Sequence, residues 1–60
     1  MKGITEMREK CKEIKGELYA IGSYEGGGGW YVLEYNGHFW QQVSPTYAYR
    51  GWAVRFMNNI

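Results

Sequence analysis

The stretch WYVLEYNGHFWQQV, Trp30 to Val43, constrains this chain more than any other. Two runs dense in aromatic and β-branched residues flank Asn36-Gly37, and both turn residues tolerate the positive φ that a type I′ turn demands. The pattern predicts a two-residue hairpin. It would pair Tyr35 with His38, Glu34 with Phe39, Leu33 with Trp40, and so outward to Trp30 with Val43. Side chains alternate along a strand, so one face would carry Tyr31, Leu33, Tyr35, His38, Trp40 and Gln42. The other would carry Trp30, Val32, Glu34, Phe39, Gln41 and Val43. Neither face is plainly polar, whereas a half-buried antiparallel sheet normally alternates cleanly between apolar and polar.

The segments on either side supply candidate covers. Ile4, Met7, Cys11, Ile14 and Leu18 recur at spacings of 3, 4, 3 and 4, a helical stripe with charged residues elsewhere. Gly16 suits a left-handed stop, and a helix over about 4–15 is expected. Its narrow seam of Ile4, Met7, Cys11 and Ile14 would dock on the sheet or pair with a second copy. ELYAIGSY, 17–24, reads as a strand, with Gly22 marking a bulge or a close backbone approach. Ser44 and Pro45 look like an N-cap and first helical residue. They would open a C-terminal helix whose Tyr49, Ala53, Phe56 and Ile60 share one face, with Trp52 and Met57 at its edges. The expected fold is therefore α+β: an N-terminal helix, a three-stranded antiparallel sheet with an Asn-Gly hairpin, and a C-terminal helix packed on the sheet.

Sixty residues imply one domain, and so short a chain needs dense packing or a partner to be stable. Aromatics make up 18% of it, and each buried ring removes roughly 150–250 Å² from water. The lone Cys11 excludes an internal disulfide and points to a reducing, cytoplasmic setting. The charged amino-terminal stretch, which starts with Met as a whole gene product would, has no apolar run and does not read as a secretory signal. Net charge is +1, with no clustered Lys and Arg of the kind that displaces counterions from a phosphate backbone.

Gly26 to Gly29 precede a strand rather than a helix, and no Lys, Ser or Thr follows, so neither a P-loop nor a dinucleotide fingerprint is present. They read as a flexible joint between strands. His38, the only histidine, flanks a turn and has no Asp, second His or second Cys to complete a metal site. Glu25 and Glu34 lie on different elements, which argues against a paired-carboxylate hydrolase. Cys11 reads as a small buried hydrophobe. No cofactor is implied, and the chain is not expected to be an enzyme.

The aromatic faces carry the functional expectation. Tyr31, Tyr35, His38 and Trp40, with Arg50 and Arg55, are the expected partner-binding residues. Tyr, Trp and Arg anchor protein interfaces, and aromatic sheets can also stack single-stranded bases. GWYVLEYNG followed by AVRFM resembles the three-stranded arm-type DNA-binding domains of phage tyrosine recombinases. Their Lys/Arg-rich strands are absent here, so the resemblance transfers no residue role. The sequence thus points to a small non-enzymatic interaction protein that modulates or inhibits a protein partner, of the kind phages and other mobile elements carry. The alternative is a nucleic-acid-binding regulator.

Overall fold

The computed structural model describes residues 6–24 and 26–60. Five antiparallel strands form a curled half-barrel sheet: β1 Glu6–Arg8, β2 Lys12–Ile14, β3 Glu17–Tyr24, β4 Trp30–Tyr35 and β5 Trp40–Gln42. One helix follows, α1 Arg50–Asn58. The order across the sheet is β1-β3-β4-β5, with β2 also on β3. Among the described residues no helix is long and apolar enough to cross a membrane.

The expected N-terminal helix and three-stranded sheet are overturned. Ile4 lies outside the described residues, and 6–14 runs as one bulged strand along β3. Glu6, Met7 and Arg8 pair with Tyr24, Ser23 and Gly22, while Lys12, Glu13 and Ile14 pair with Tyr19, Leu18 and Glu17. Residues 9–11 therefore oppose only Ala20 and Ile21, and one extra residue is a β-bulge. That insertion reverses side-chain parity. Met7 and Ile14, an odd seven apart, end on the same face of the sheet, which is how a bulged strand imitates a helical repeat. Lys15 and Gly16, at φ 52° and 85°, form the two-residue turn into β3. Positive φ at both central positions is the type I′ pattern, whose twist matches the flanking strands. Gly16 is left-handed as expected, but it closes a hairpin instead of a helix.

β3 occupies 17–24 as the sequence predicts. The β4–β5 hairpin turns one residue later than expected, around Gly37-His38, with Tyr35 facing Trp40, Glu34 facing Gln41 and Leu33 facing Gln42. Asn36 keeps a negative φ and uses its side chain. Its Oδ1 accepts the N–H groups of His38 and Phe39 at 2.9 and 3.0 Å, a local bond that Asn forms readily in turns. Moving the turn centre by one shifts each pair by two, so face membership along β4 and β5 survives.

Each apolar face has its own cover. On one, Tyr19, Ile21, Val32 and Ala53 form a buried centre beneath α1, ringed by Ile14, Trp30, Tyr47, Val54, Phe56, Met57 and Ile60. On the other, Ala20, Tyr31 and Leu33 are buried by the curl of the sheet itself. Tyr31 lies directly opposite Gly22. A Cβ on Gly22 would stand 2.5 Å from Tyr31 Cε1 and 2.7 Å from Leu33 Cδ1, so the close approach needs glycine. Arg8 and Trp40 come from opposite edges of the sheet, yet the guanidinium lies 4.6 Å from the Trp40 ring centre. This cation–π contact closes the inner face.

α1 starts five residues later than the Ser44-Pro45 signal suggests, because 44–47 is still tied to β4. Ser44 Oγ accepts the Val32 N–H at 2.8 Å. Trp30 and Tyr47 exchange backbone bonds of 2.8 and 2.6 Å, which holds the chain extended. The glycine loop does join β3 to β4, but all four of its residues have φ between 87° and 112°. A side chain at Gly27 or Gly28 would be strained there regardless of space.

Candidate protein-binding surface

The six expected partner-binding residues fall in different places. Tyr31 is fully buried. Its hydroxyl donates to Glu6 Oε2 at 2.6 Å, and its ring packs against Tyr24 at 5.2 Å. Burial, with help from the Glu6 hydrogen bond and the neighbouring Tyr24, pushes the Tyr31 hydroxyl far above its ordinary pKa. Tyr35 and Trp40 are half-buried and pack together, with ring centres 5.2 Å apart and planes tilted by 48°. Arg8 covers Trp40, so Tyr35 and Trp40 are held together while Tyr31 is buried beside Tyr24, and all three are largely occupied within the fold. His38 stands exposed at the hairpin tip.

Arg50 forms a bidentate pair with Glu9, Nε to Oε2 at 2.8 Å and Nη2 to Oε1 at 2.7 Å. The hydrogen bond to Arg50 holds the Glu9 carboxyl below its usual range, and the same bond raises Arg50. The pair fastens the start of α1 to the bulge between β1 and β2. Arg55 is exposed, 5.5 Å from the Trp52 ring centre.

Of the residues expected at the self-association seam, Met7, Cys11 and Ile14 do not form a helical stripe. Met7 and Cys11 are exposed, so Cys11 is not the small core residue expected, and Ile14 is half-buried against the helix-side core. Glu34 accepts from the Tyr19 hydroxyl at 3.0 Å and the Gln41 amide at 3.3 Å. The Tyr19 hydroxyl is raised in pKa chiefly by that Glu34 bond. Glu25 lies outside the described residues.

What the sequence reading undervalued is the outer face of α1. Trp52 remains 51% exposed and Tyr49 69%, although both are large aromatics. Beside them a shallow groove of about 470 Å³ is lined by Tyr47, Trp52, Arg55, Phe56, Asn59 and Ile60. Trp52, Arg55, Phe56 and Asn59 follow i, i+3, i+4, i+7 spacing, which puts them on one helical stripe. That spacing was legible. It was overlooked because the reading centred the helix face on Tyr49, Ala53, Phe56 and Ile60 and left Trp52 at its edge. A groove of this size falls within the ~300–1,000 Å³ of ordinary ligand sites, and its walls are aromatic and aliphatic with a cation and a carboxamide at the rim. Such a surface can bind apolar side chains and orient a polar group, but it offers no nucleophile or acid–base pair. Comparison with family models, with curated proteins and with solved structures gives no match.

Proposed function

We propose that this protein acts by binding another protein, as a non-enzymatic modulator or inhibitor, through the outer face of α1. The observation that carries the reading is Trp52: a half-exposed indole beside Arg55, opening onto an apolar groove. Trp, Tyr and Arg dominate the energetics of protein interfaces because they bury large area with directional polar groups. Tyr49 extends the same patch. Tyr35 and Trp40, with Arg8 above them, form a secondary contact region at the rim of the sheet. Base stacking is the weaker use of this surface, since Tyr31 is buried and Arg8 already covers Trp40. The proposed setting is cytoplasmic, where the exposed thiol of Cys11 would stay reduced.

Trp52→Ala tests the reading. The side chain is half-exposed, so the melting temperature should change little. Affinity should fall by at least ~2 kcal/mol, the scale of an interface hot spot. The measurement is capture of partners from a lysate of the encoding cell, with and without nuclease. A captured protein that resists nuclease and is lost with Trp52→Ala supports the reading. Capture that needs nucleic acid, or that ignores the substitution, refutes it.

A further inference from the structure

We infer that the α1 groove takes an acidic peptide segment, with an apolar side chain seated between Trp52 and Phe56 and a carboxylate on Arg55. This rests on the protein-binding reading above and adds the chemistry of the partner. The first support is the charge distribution. No Asp or Glu occurs after Glu34, so residues 35–60 hold Arg50, Arg55 and His38 with no acid among them. The β5–α1 portion is therefore the basic side of a nearly neutral chain.

The second support is which cation is available there. Arg50 is already neutralised by Glu9 in a two-bond pair. Arg55 has no carboxylate partner among the described residues and lies over Trp52. Stacking on an indole leaves the guanidinium edge open, and that edge is the fork that binds a carboxylate through two parallel bonds. Close by, Asn59 spends its Nδ2 on the Arg55 carbonyl at 2.8 Å. Its carboxamide oxygen stays open to a peptide N–H.

The third support is shape. The groove is open along one side and lined by Tyr47, Phe56 and Ile60 behind the polar rim, which suits a side chain laid in from an extended or helical segment. Among the described residues Arg55 is the one unpaired cation lining the groove, too few for a nucleic-acid backbone, where affinity comes from several phosphates releasing counterions together.

The experiment uses the whole chain, isotope-labelled, and three probes read by chemical-shift mapping. Two are blocked hexapeptides, Glu-Glu-Leu-Phe-Glu-Glu and Lys-Lys-Leu-Phe-Lys-Lys, and the third is a thymidine decamer. The acidic peptide should move the Trp52 indole and Arg55 guanidinium signals and bind at least tenfold more tightly than the basic one. Arg55→Glu should invert that preference, and Trp52→Ala should abolish binding of the acidic peptide. Equal binding of the two peptides, preference for the basic one, or no movement with either overturns the inference. Salt-steep binding of the decamer at Trp52 and Arg55 also overturns it, in favour of nucleic acid. The capture experiment decides the protein-binding reading separately, so the acidic-partner inference can fail while that reading stands.

Discussion

Gly22→Ala is the sharpest test of how the inner face is packed. In an open strand the change should stabilise the protein by about 0.4–1 kcal/mol, because alanine loses less backbone entropy on folding. Here the added methyl would sit 2.5 Å from Tyr31 Cε1 and 2.7 Å from Leu33 Cδ1, about 1 Å inside ordinary contact. Tyr31 cannot easily yield. It is fully buried, its hydroxyl is bonded to Glu6 at 2.6 Å, and its ring rests on Tyr24. Overpacking of this kind costs roughly 1–3 kcal/mol, and the tied ring places the cost near the upper end. A 60-residue domain has only about 3–9 kcal/mol in total at ~0.05–0.15 kcal/mol per residue. At 4–8 °C per kcal/mol, the melting temperature should fall by roughly 10–20 °C. Thermal and urea unfolding followed by circular dichroism would read it. In the double variant Gly22→Ala/Tyr31→Leu the smaller side chain should recover part of the loss, giving a favourable coupling of about 1 kcal/mol. An unchanged or raised melting temperature for Gly22→Ala would show that Tyr31 does not pack against this strand as described.

Four further outcomes follow from the same geometry. Ser44→Ala removes the acceptor of the buried Val32 N–H and should cost about 1–3 kcal/mol in urea unfolding, the price of an orphaned donor; a loss below ~0.5 kcal/mol would mean water replaces the hydroxyl. Gly27→Ser/Gly28→Ser, at φ 105° and 112°, should lower the melting temperature, and a silent substitution would mean the loop adopts other conformations in solution. Arg50→Ala breaks an exposed, solvent-screened ion pair and should lower the melting temperature only slightly at pH 7. Because Glu9 is lowered in the fold, the stability it adds is present above the ordinary Glu range near ~4.3 and fades as pH falls through the folded value; melts of wild type and Arg50→Ala should therefore differ at pH 7 and converge in acid, and a gap that persists at pH 2 contradicts the ion pair. Tyr31 is raised, so its neutral form is favoured by folding and stability should decline as pH rises above the ordinary Tyr value of ~10. Ultraviolet titration should show Tyr31 ionising only with unfolding, and Tyr31→Phe should flatten the alkaline decline.

The sequence was most legible where local pattern and tertiary need agree. ELYAIGSY is a strand by composition and becomes the centre of the sheet at 17–24. The mixed polarity of both hairpin faces was visible in the sequence, but the reading gave the Tyr31, Tyr35, His38 and Trp40 face to a partner. What could not be read was that a curl, rather than a second helix, covers that face. The 4–15 helix failed for a definite reason: helical periodicity assumes an uninterrupted register, and a bulge at 9–11 changes parity midway. KEIKGELY contained the corrective clue, a Lys-Gly pair poised to turn one strand into the next. The Ser44-Pro45 start signal failed because the hydroxyl serves a strand N–H instead of a helix one. For the candidate surface, the Trp52, Arg55, Phe56, Asn59 stripe was present in the sequence. Its exposure depended on where α1 begins, which the Trp30–Tyr47 bridge sets.

A strand with one buried side has a reading frame of two, and the bulge at 9–11 is a frameshift written into it. Downstream, Ile14 is in frame with the helix-side core; upstream, Glu6 and Arg8 are in frame with the inner face. Changing the identity of exposed Lys10 leaves that frame intact. Losing one residue anywhere in 9–11 does not, even though the shorter strand would be more regular. It would turn Arg8 away from Trp40 and Glu6 away from Tyr31, and aim Met7 into their place. In this hairpin, chain length at the bulge carries more structural information than the residues that occupy it, so insertions and deletions there should be far less tolerated than substitutions.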